Sequence, residues 1–356
     1  MNRFRINSLV RHLPVVLTAA LIAGCNPFSA PQSMMDEYVE RVARVLEQDH
    51  ALTEVPLADL FPRRRERRLE MPELELDMLD FLSLYGCELQ FVVGERNSGL
   101  GRVMQPVNVL RYELRFIEAA GNCLPQLEDD EGLYDAVAKA RGAKVESLPI
   151  AVWNATWGTE EIEPLFTRTE GLLPIGTSGA TVSDLARDLA LLNTRLSALQ
   201  EGSLGTGLEF MGEVQQRWQA EDRMGQLIKS GLLLVTRLND AADVMQRRLD
   251  SHPLCLKQRT NNQAEIAKSM FFSVYAGEVQ PYMAMVNRVR DALVPGFEQL
   301  AASQSDVMPQ DFKPYYRRYL SLTGEQSLWH RLDETVARHT RLWQELLGQC
   351  GFRPGQ

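Results

Sequence analysis

Lysine, histidine and the familiar catalytic signatures are all scarce in this chain. Six of its 38 basic residues are lysine. Cationic charge is therefore almost wholly arginine, which GC-rich coding explains without any binding role. The five histidines stand at positions 12, 50, 252, 330 and 339. None belongs to an H-E-x-x-H helix, and the spacing of His330 and His339 is poor for a shared metal face. No serine lies three residues before a lysine, so the S-x-x-K arrangement is missing. GTSGA at 176–180 places its second glycine one position too early for a nucleophile elbow. There is no C-x-x-C and no cysteine–histidine cluster, which argues against zinc. These absences lead to the expectation that the protein uses no metal and no cofactor.

Positive charge is also outweighed. The formal net charge is −9, and beyond residue 24 there are 35 basic against 47 acidic residues, or −12. Such a balance argues against nucleic acid as a partner. Long apolar runs are missing from the same region. The most apolar stretch, MFFSVYAGEVQPYMAMV, contains Glu278, Gln280 and Pro281.

No acid occurs before Asp36, whereas Arg3, Arg5 and Arg11 precede an apolar segment from Leu13 to Ala23. A spanning helix needs roughly 20 apolar residues. This segment is shorter and carries Pro14, so it reads as a secretory signal. Its end, Leu21–Ile22–Ala23–Gly24–Cys25, resembles the lipobox of bacterial lipoproteins. That resemblance implies removal of residues 1–24 and lipidation of Cys25. One acyl chain, at about 0.8 kcal/mol per buried methylene, holds a protein only reversibly, whereas two or three make release negligible. Asn26 in place of aspartate favours the outer membrane, facing the periplasm. An ordinary signal with a chance cysteine is the plainer alternative.

Four cysteines remain: Cys87, Cys123, Cys255 and Cys350. An even number in an exported chain suggests two disulfides in one of three pairings. Pairing Cys87 with Cys123 and Cys255 with Cys350 keeps each bridge within one subdomain and is the expected arrangement.

The remaining length, about 332 residues, exceeds the usual size of a single core, so two subdomains are expected. Residues 25–32 form a tether. Residues 33–165 form a helical subdomain, in which Ser33 is a candidate N-cap and helices cover 73–93 and Pro106–Ala119. VESLPIAVWNATW holds a short strand or a buried irregular segment. Residues 166–182, rich in glycine, proline and threonine, read as a linker or ordered loop. Residues 183–352 form a bundle of long antiparallel helices. Leu185, Leu189, Leu192 and Leu196 stripe one helix. Residues 209–250 show few breakers, enough for a helix of about 60 Å. A return helix over 262–302 is expected to kink near Pro281, and Trp329, Leu332, Val336, Trp343 and Leu346 line the last one. The fold class is all-α, with few or no strands in the centre.

CELQFVVGERNSGLGRVMQP and the following YELRF, taken with the lipobox and the helical remainder, resemble a proteobacterial lipoprotein family known as domain of unknown function 3080. The resemblance covers most of residues 33–352. It implies an exported, lipid-anchored protein and lends no catalytic residue.

GERNSGLGR is the best single place to seek a ligand site. Its glycines expose amides beside Glu95, Arg96, Asn97, Ser98 and Arg102. It lacks the ending of a phosphate loop, and a tight turn satisfying its own polar groups is the structural alternative. Arg63, Arg64, Arg65, Arg67 and Arg68 form a solvated face or meet anionic head groups. Trp153 and Trp157 read as core rather than as sugar-stacking platforms. The expected role is a non-enzymatic interaction or scaffold function in the cell envelope, with membrane attachment through Cys25 and an envelope protein partner. The alternative is a cell-wall or glycan-directed enzyme, or a ligand-binding protein, using residues 94–102.

Overall fold

The computed structural model describes residues 30–72, 84, 86–99, 101–205 and 207–352, the side chain of Arg102 excepted. Cys25, the signal segment and most of the helix expected over 73–93 lie outside the described residues. Among the described residues every regular element is helical.

The axis of the molecule is α8, Arg223–Ser251, which at 1.5 Å per residue is about 43 Å long. The sequence pattern had this helix running from 209. Instead a shorter α7, Met211–Trp218, ends first. The chain turns through 219–222, where the fully buried Trp218 anchors the corner and Gln226 donates to Asp222. Beyond the turn Gly225 lies against the backbone of Thr167, an approach that a straight continuation would have to abandon.

α8 is buried nearly all round, so its polar residues need partners. Ser230 accepts from the Leu173 amide and from Tyr282, each at 3.0 Å. Arg237 pairs with Asp36 at 2.5 Å and Asp240 at 3.0 Å. Asp36 belongs to α1, Ala30–Leu46, which packs against α8 and buries Met35, Tyr38, Val39, Val42 and Leu46 in the main core. Ser33 is inside α1 and not its cap: the helix begins three residues earlier.

The return arm runs from Asn262 to Ala302. It comprises α9, Asn262–Met270, a π-helical stretch Phe271–Val279, and α10, Gln280–Ala302. The wide turns fall immediately before Pro281. Proline has no N–H to donate back, so the ladder expected to kink there is loosened over the preceding residues instead. α6, Ser183–Gln200, packs on α10 with all four leucines of its stripe buried. α11, Leu328–Gly348, closes the other side of α8 with Trp329, Leu332, Trp343 and Leu346.

A second, smaller core is built by α3, Glu88–Asn97, α4, Pro106–Cys123, and α5, Glu131–Thr156. α4 serves both cores. Val107, Leu110, Leu114 and Ile117 face the main one, and Tyr112, Phe116, Ala119, Ala120 and Cys123 the smaller. α5 does the same along its length. Leu133, Val137 and Ala140 lie in the small core, while Leu148 to Ala155 enter the large one. VESLPIAVWNATW is thus the end of α5, with no strand. From 151 to 157 every residue is buried, which erases the helical period a sequence reading relies on. Cys87 and Cys123 stand at disulfide distance with Cα atoms 5.7 Å apart, as do Cys255 and Cys350 at 5.1 Å. Residues 167–178 contain no helix but bury Leu172 and Leu173.

Candidate functional site

A groove of about 1100 Å³ lies where the start of α1, an extended strap over 52–61, residues 160–172 and one face of α8 meet. The strap is non-helical between Pro56 and Pro62, neither of which can donate a backbone hydrogen bond. It is pinned at both ends. Thr53 donates from its amide and hydroxyl to Asp240, at 3.1 and 2.6 Å, and its carbonyl accepts from Arg237 at 2.5 Å. Farther on, the Ala58 carbonyl accepts from Arg168 at 2.6 Å, the Asp59 amide donates to Tyr319 at 2.9 Å, and Phe61 stacks on Phe166 at 4.5 Å. Leu57, between the anchors, is 84% exposed, and Leu60, within the far one, 63%.

Inside, the walls mix apolar side chains with a few charges. Val55, Phe61, Phe166, Leu172 and Leu233 supply the apolar part. Glu160 is paired with Arg64 and Glu163 with Arg67. Lys229 donates to the Arg168 carbonyl at 3.1 Å. Burial, and then the neighbouring Arg168 guanidinium, hold its ammonium below the ordinary lysine range. Among the described residues no histidine, cysteine or serine lines the groove.

The residues singled out in GERNSGLGR sit elsewhere. Gly94 to Asn97 are the last turn of α3 and not a loop. Ser98 donates to the Glu95 carbonyl at 2.7 Å and accepts from the Gly101 amide at 3.0 Å, and Arg96 donates to the Gly101 carbonyl. Glu95 meets Arg115 at 2.7 Å on the surface. Arg102 lies in the 3₁₀ turn Gly101–Val103. A Cβ on Gly101 would stand 2.3 Å from the carbonyl oxygens of Glu95 and Arg96, so the turn requires glycine there. None of the described side chains of this segment lines the groove.

Two buried polar clusters carried no sequence signal. Lys144 of α5 donates to Glu113 of α4 at 2.8 Å, with Tyr112 and Phe116 rings over the ammonium. Burial raises the Glu113 pKa against the pull of Lys144 and Arg96. Arg96, singled out as a ligand residue, thus contributes to this cluster, lying over the Tyr112 ring at 5.8 Å. The other cluster joins Tyr38, His339 and Trp343 in the main core. Arg67, read with its neighbours as a surface patch, ends the one-turn helix α2, Arg64–Arg67, and is fully buried instead. It donates to the carbonyls of Pro62, Trp157 and Thr159. Trp153 and Trp157 are fully buried beside it. The groove itself left a faint trace: Leu57 and Leu60 stand between two prolines, Pro56 and Pro62, where no helix is expected.

Among the described residues no group of histidine, cysteine, aspartate and glutamate is spaced to hold a metal, and no helix is long and apolar enough to cross a membrane. No curated protein and no solved structure matches the chain. The family described as "Protein of unknown function (DUF3080)" has a model that matches residues 35–354, and the chain belongs to that family.

Proposed function

We propose that the protein is a lipid-anchored protein of the bacterial envelope, attached through Cys25 to the outer membrane and facing the periplasm. In this reading it works by binding and not by catalysis. The groove beneath the 52–61 strap carries the reading: it is wide, largely apolar and pinned at both ends. Its position fits a membrane-side role. Gln32, at the start of α1, lines it. Only residues 26–29 separate Cys25 from Ala30, a reach of roughly 17 Å for five extended steps. Two cysteine pairs at disulfide distance suit an oxidising compartment. Arg96 and Ser98 bond the backbone of their own turn and Glu95 is paired with Arg115, which weighs against an enzyme centred there.

The test is a photo-crosslinking amino acid at Leu57, compared in intact cells with one at the exposed Val145 of α5. Position 57 should give a discrete adduct that position 145 does not, and Cys25→Ala should lose both the adduct and palmitate labelling. Equal patterns from the two positions would refute the groove as the working surface. Persistent membrane attachment of Cys25→Ala would refute the anchor.

A further inference from the structure

Three acids, Glu54, Glu160 and Glu163, and three bases, Arg168, Lys229 and Arg237, line the groove, so its formal charges balance, but not all of them are paired. Glu160, Glu163 and Arg237 are each held in ion pairs. Arg168 and Lys229 are not: among the described residues neither forms an ion pair with a carboxylate, and their contacts are to backbone carbonyls of Ala58 and Arg168. Glu54 is exposed on the strap, and Glu170 attracts Lys229 without forming an ion pair with it. Two neighbouring cations in a half-buried site repel each other and lose hydration, and an anion placed between them offsets both costs. The hydroxyls of Thr167 and Thr169, 3.0 Å apart, line the same cavity, and Thr169 donates to the Glu170 carboxylate at 3.5 Å.

The remainder of the lining has the opposite character. Leu233 follows Lys229 by one turn on the same face of α8. Phe61 and Phe166 stack above, and Leu57 and Leu60 project at the lip. Cation and hydrocarbon therefore adjoin along a single trough.

We infer that the groove takes an anionic amphiphile from the bilayer: a carboxylate or phosphate head between Arg168 and Lys229, with an acyl tail along Phe61, Phe166 and Leu233. This rests on the groove being the binding surface proposed above and names the ligand class it receives. The exposed leucines form the entry side, and the short tether keeps that side within reach of lipid.

The test uses the full mature chain as Cys25→Ala, free of its own acyl groups, titrated with 11-(dansylamino)undecanoic acid by fluorescence. Saturable binding is expected. Palmitate and dodecyl phosphate should displace the probe, and their relative strength distinguishes a carboxylate from a phosphate head. Hexadecanol should compete at least about tenfold more weakly, as loss of a charge-assisted contact implies. Inorganic phosphate alone should not compete. Lys229→Met and Arg168→Gln should each weaken binding about tenfold. Leu57→Glu, at an exposed position that does not threaten folding, should weaken it as well, with helicity by circular dichroism unchanged. Absence of saturable binding, or equal competition by hexadecanol together with an unaffected Lys229→Met, overturns the inference. If the probe fails to bind while Leu57 still crosslinks a discrete envelope protein, the ligand class is wrong and the binding role stands. If both fail, both fall.

Discussion

The Tyr38 hydroxyl lies 2.6 Å from His339 Nε2, joining two residues 301 positions apart in the sequence. Trp343 Nε1 donates to the same hydroxyl at 2.8 Å. Indole can only donate, so the single tyrosine proton is assigned to His339 Nε2, which leaves the imidazole proton on Nδ1. Nδ1 has no partner among the described residues. The contact ties the beginning of the described chain to its final helix across the main core.

His339 should make the protein acid-sensitive well above the carboxylate range. Burial holds the imidazole neutral, with its pKa down to about 3. Above about pH 6.5 neither folded nor unfolded chain protonates this group. Below it the unfolded chain takes up a proton that the folded chain refuses, so stability falls as pH falls, down to about pH 3. The slope is about 1.4 kcal/mol per pH unit. Urea unfolding at pH 6.5 and pH 5 should differ by about 2 kcal/mol from this residue. In His339→Gln the difference should shrink by that amount. An unchanged difference would show that His339 ionises freely in the folded protein.

Arg67 is expected to be the costliest single arginine to remove. It is fully buried, and its guanidinium bonds the carbonyls of Pro62, Trp157 and Thr159 together with Glu163, while its own carbonyl accepts from Trp153 at 2.6 Å. Burial lowers its pKa to about 10, so it stays charged at neutral pH. Arg67→Met strands several acceptors and should cost about 3–5 kcal/mol in chemical denaturation. Arg67→Lys should recover little, because one ammonium cannot reproduce a planar fork. A loss under 1 kcal/mol for Arg67→Met would show the carbonyls to be satisfied by water.

Arg67 also shows where sequence reading stops. In RRRER one arginine enters the core and its neighbours do not, and nothing local distinguishes them: the selecting carbonyls lie about 90 residues away. Amphipathic segments were readable because each buries one face, as with Leu185 to Leu196. α8 and the end of α5 were harder, since a helix enclosed on all sides loses its period. The groove was the least legible part. Its walls come from four separate stretches, and the strap that covers it has no period at all. GERNSGLGR drew attention by composition, whereas Lys229 stands inside an ordinary apolar run.

The two cysteine pairs should differ in what they protect. Cys255 and Cys350 bridge 95 positions and join the turn after α8 to the end of α11, a closure worth about 5 kcal/mol in the chain-entropy model. Cys87 and Cys123 bridge 36 positions within the small core, worth about 4 kcal/mol. Cys255→Ser/Cys350→Ser should lower the main unfolding transition and raise hydrogen exchange in α8 and α11. Cys87→Ser/Cys123→Ser should raise exchange in α3 while leaving α8 protected. Uniform exchange changes from both would show that the two cores unfold as one unit.

Gly225 offers a case in which two effects oppose each other. Alanine is favoured over glycine inside a helix by about 1 kcal/mol. At Gly225, however, a Cβ would stand 1.9 Å from the Thr167 carbonyl oxygen and 2.9 Å from its carbon, and both are backbone atoms that cannot swing aside. Overpacking of this kind costs about 1–3 kcal/mol, so sterics outweigh propensity and Gly225→Ala should destabilise. Thr167 belongs to the wall of the groove, so the shift should also lower affinity for whatever the groove binds. Gly142 in α5 is the control: a Cβ there meets nothing within 4 Å, and Gly142→Ala should stabilise by about 0.5–1 kcal/mol. Thermal denaturation of the two variants should therefore move in opposite directions. Stabilisation by both would mean that the start of α8 can draw away from Thr167, and that this wall of the groove is free to move.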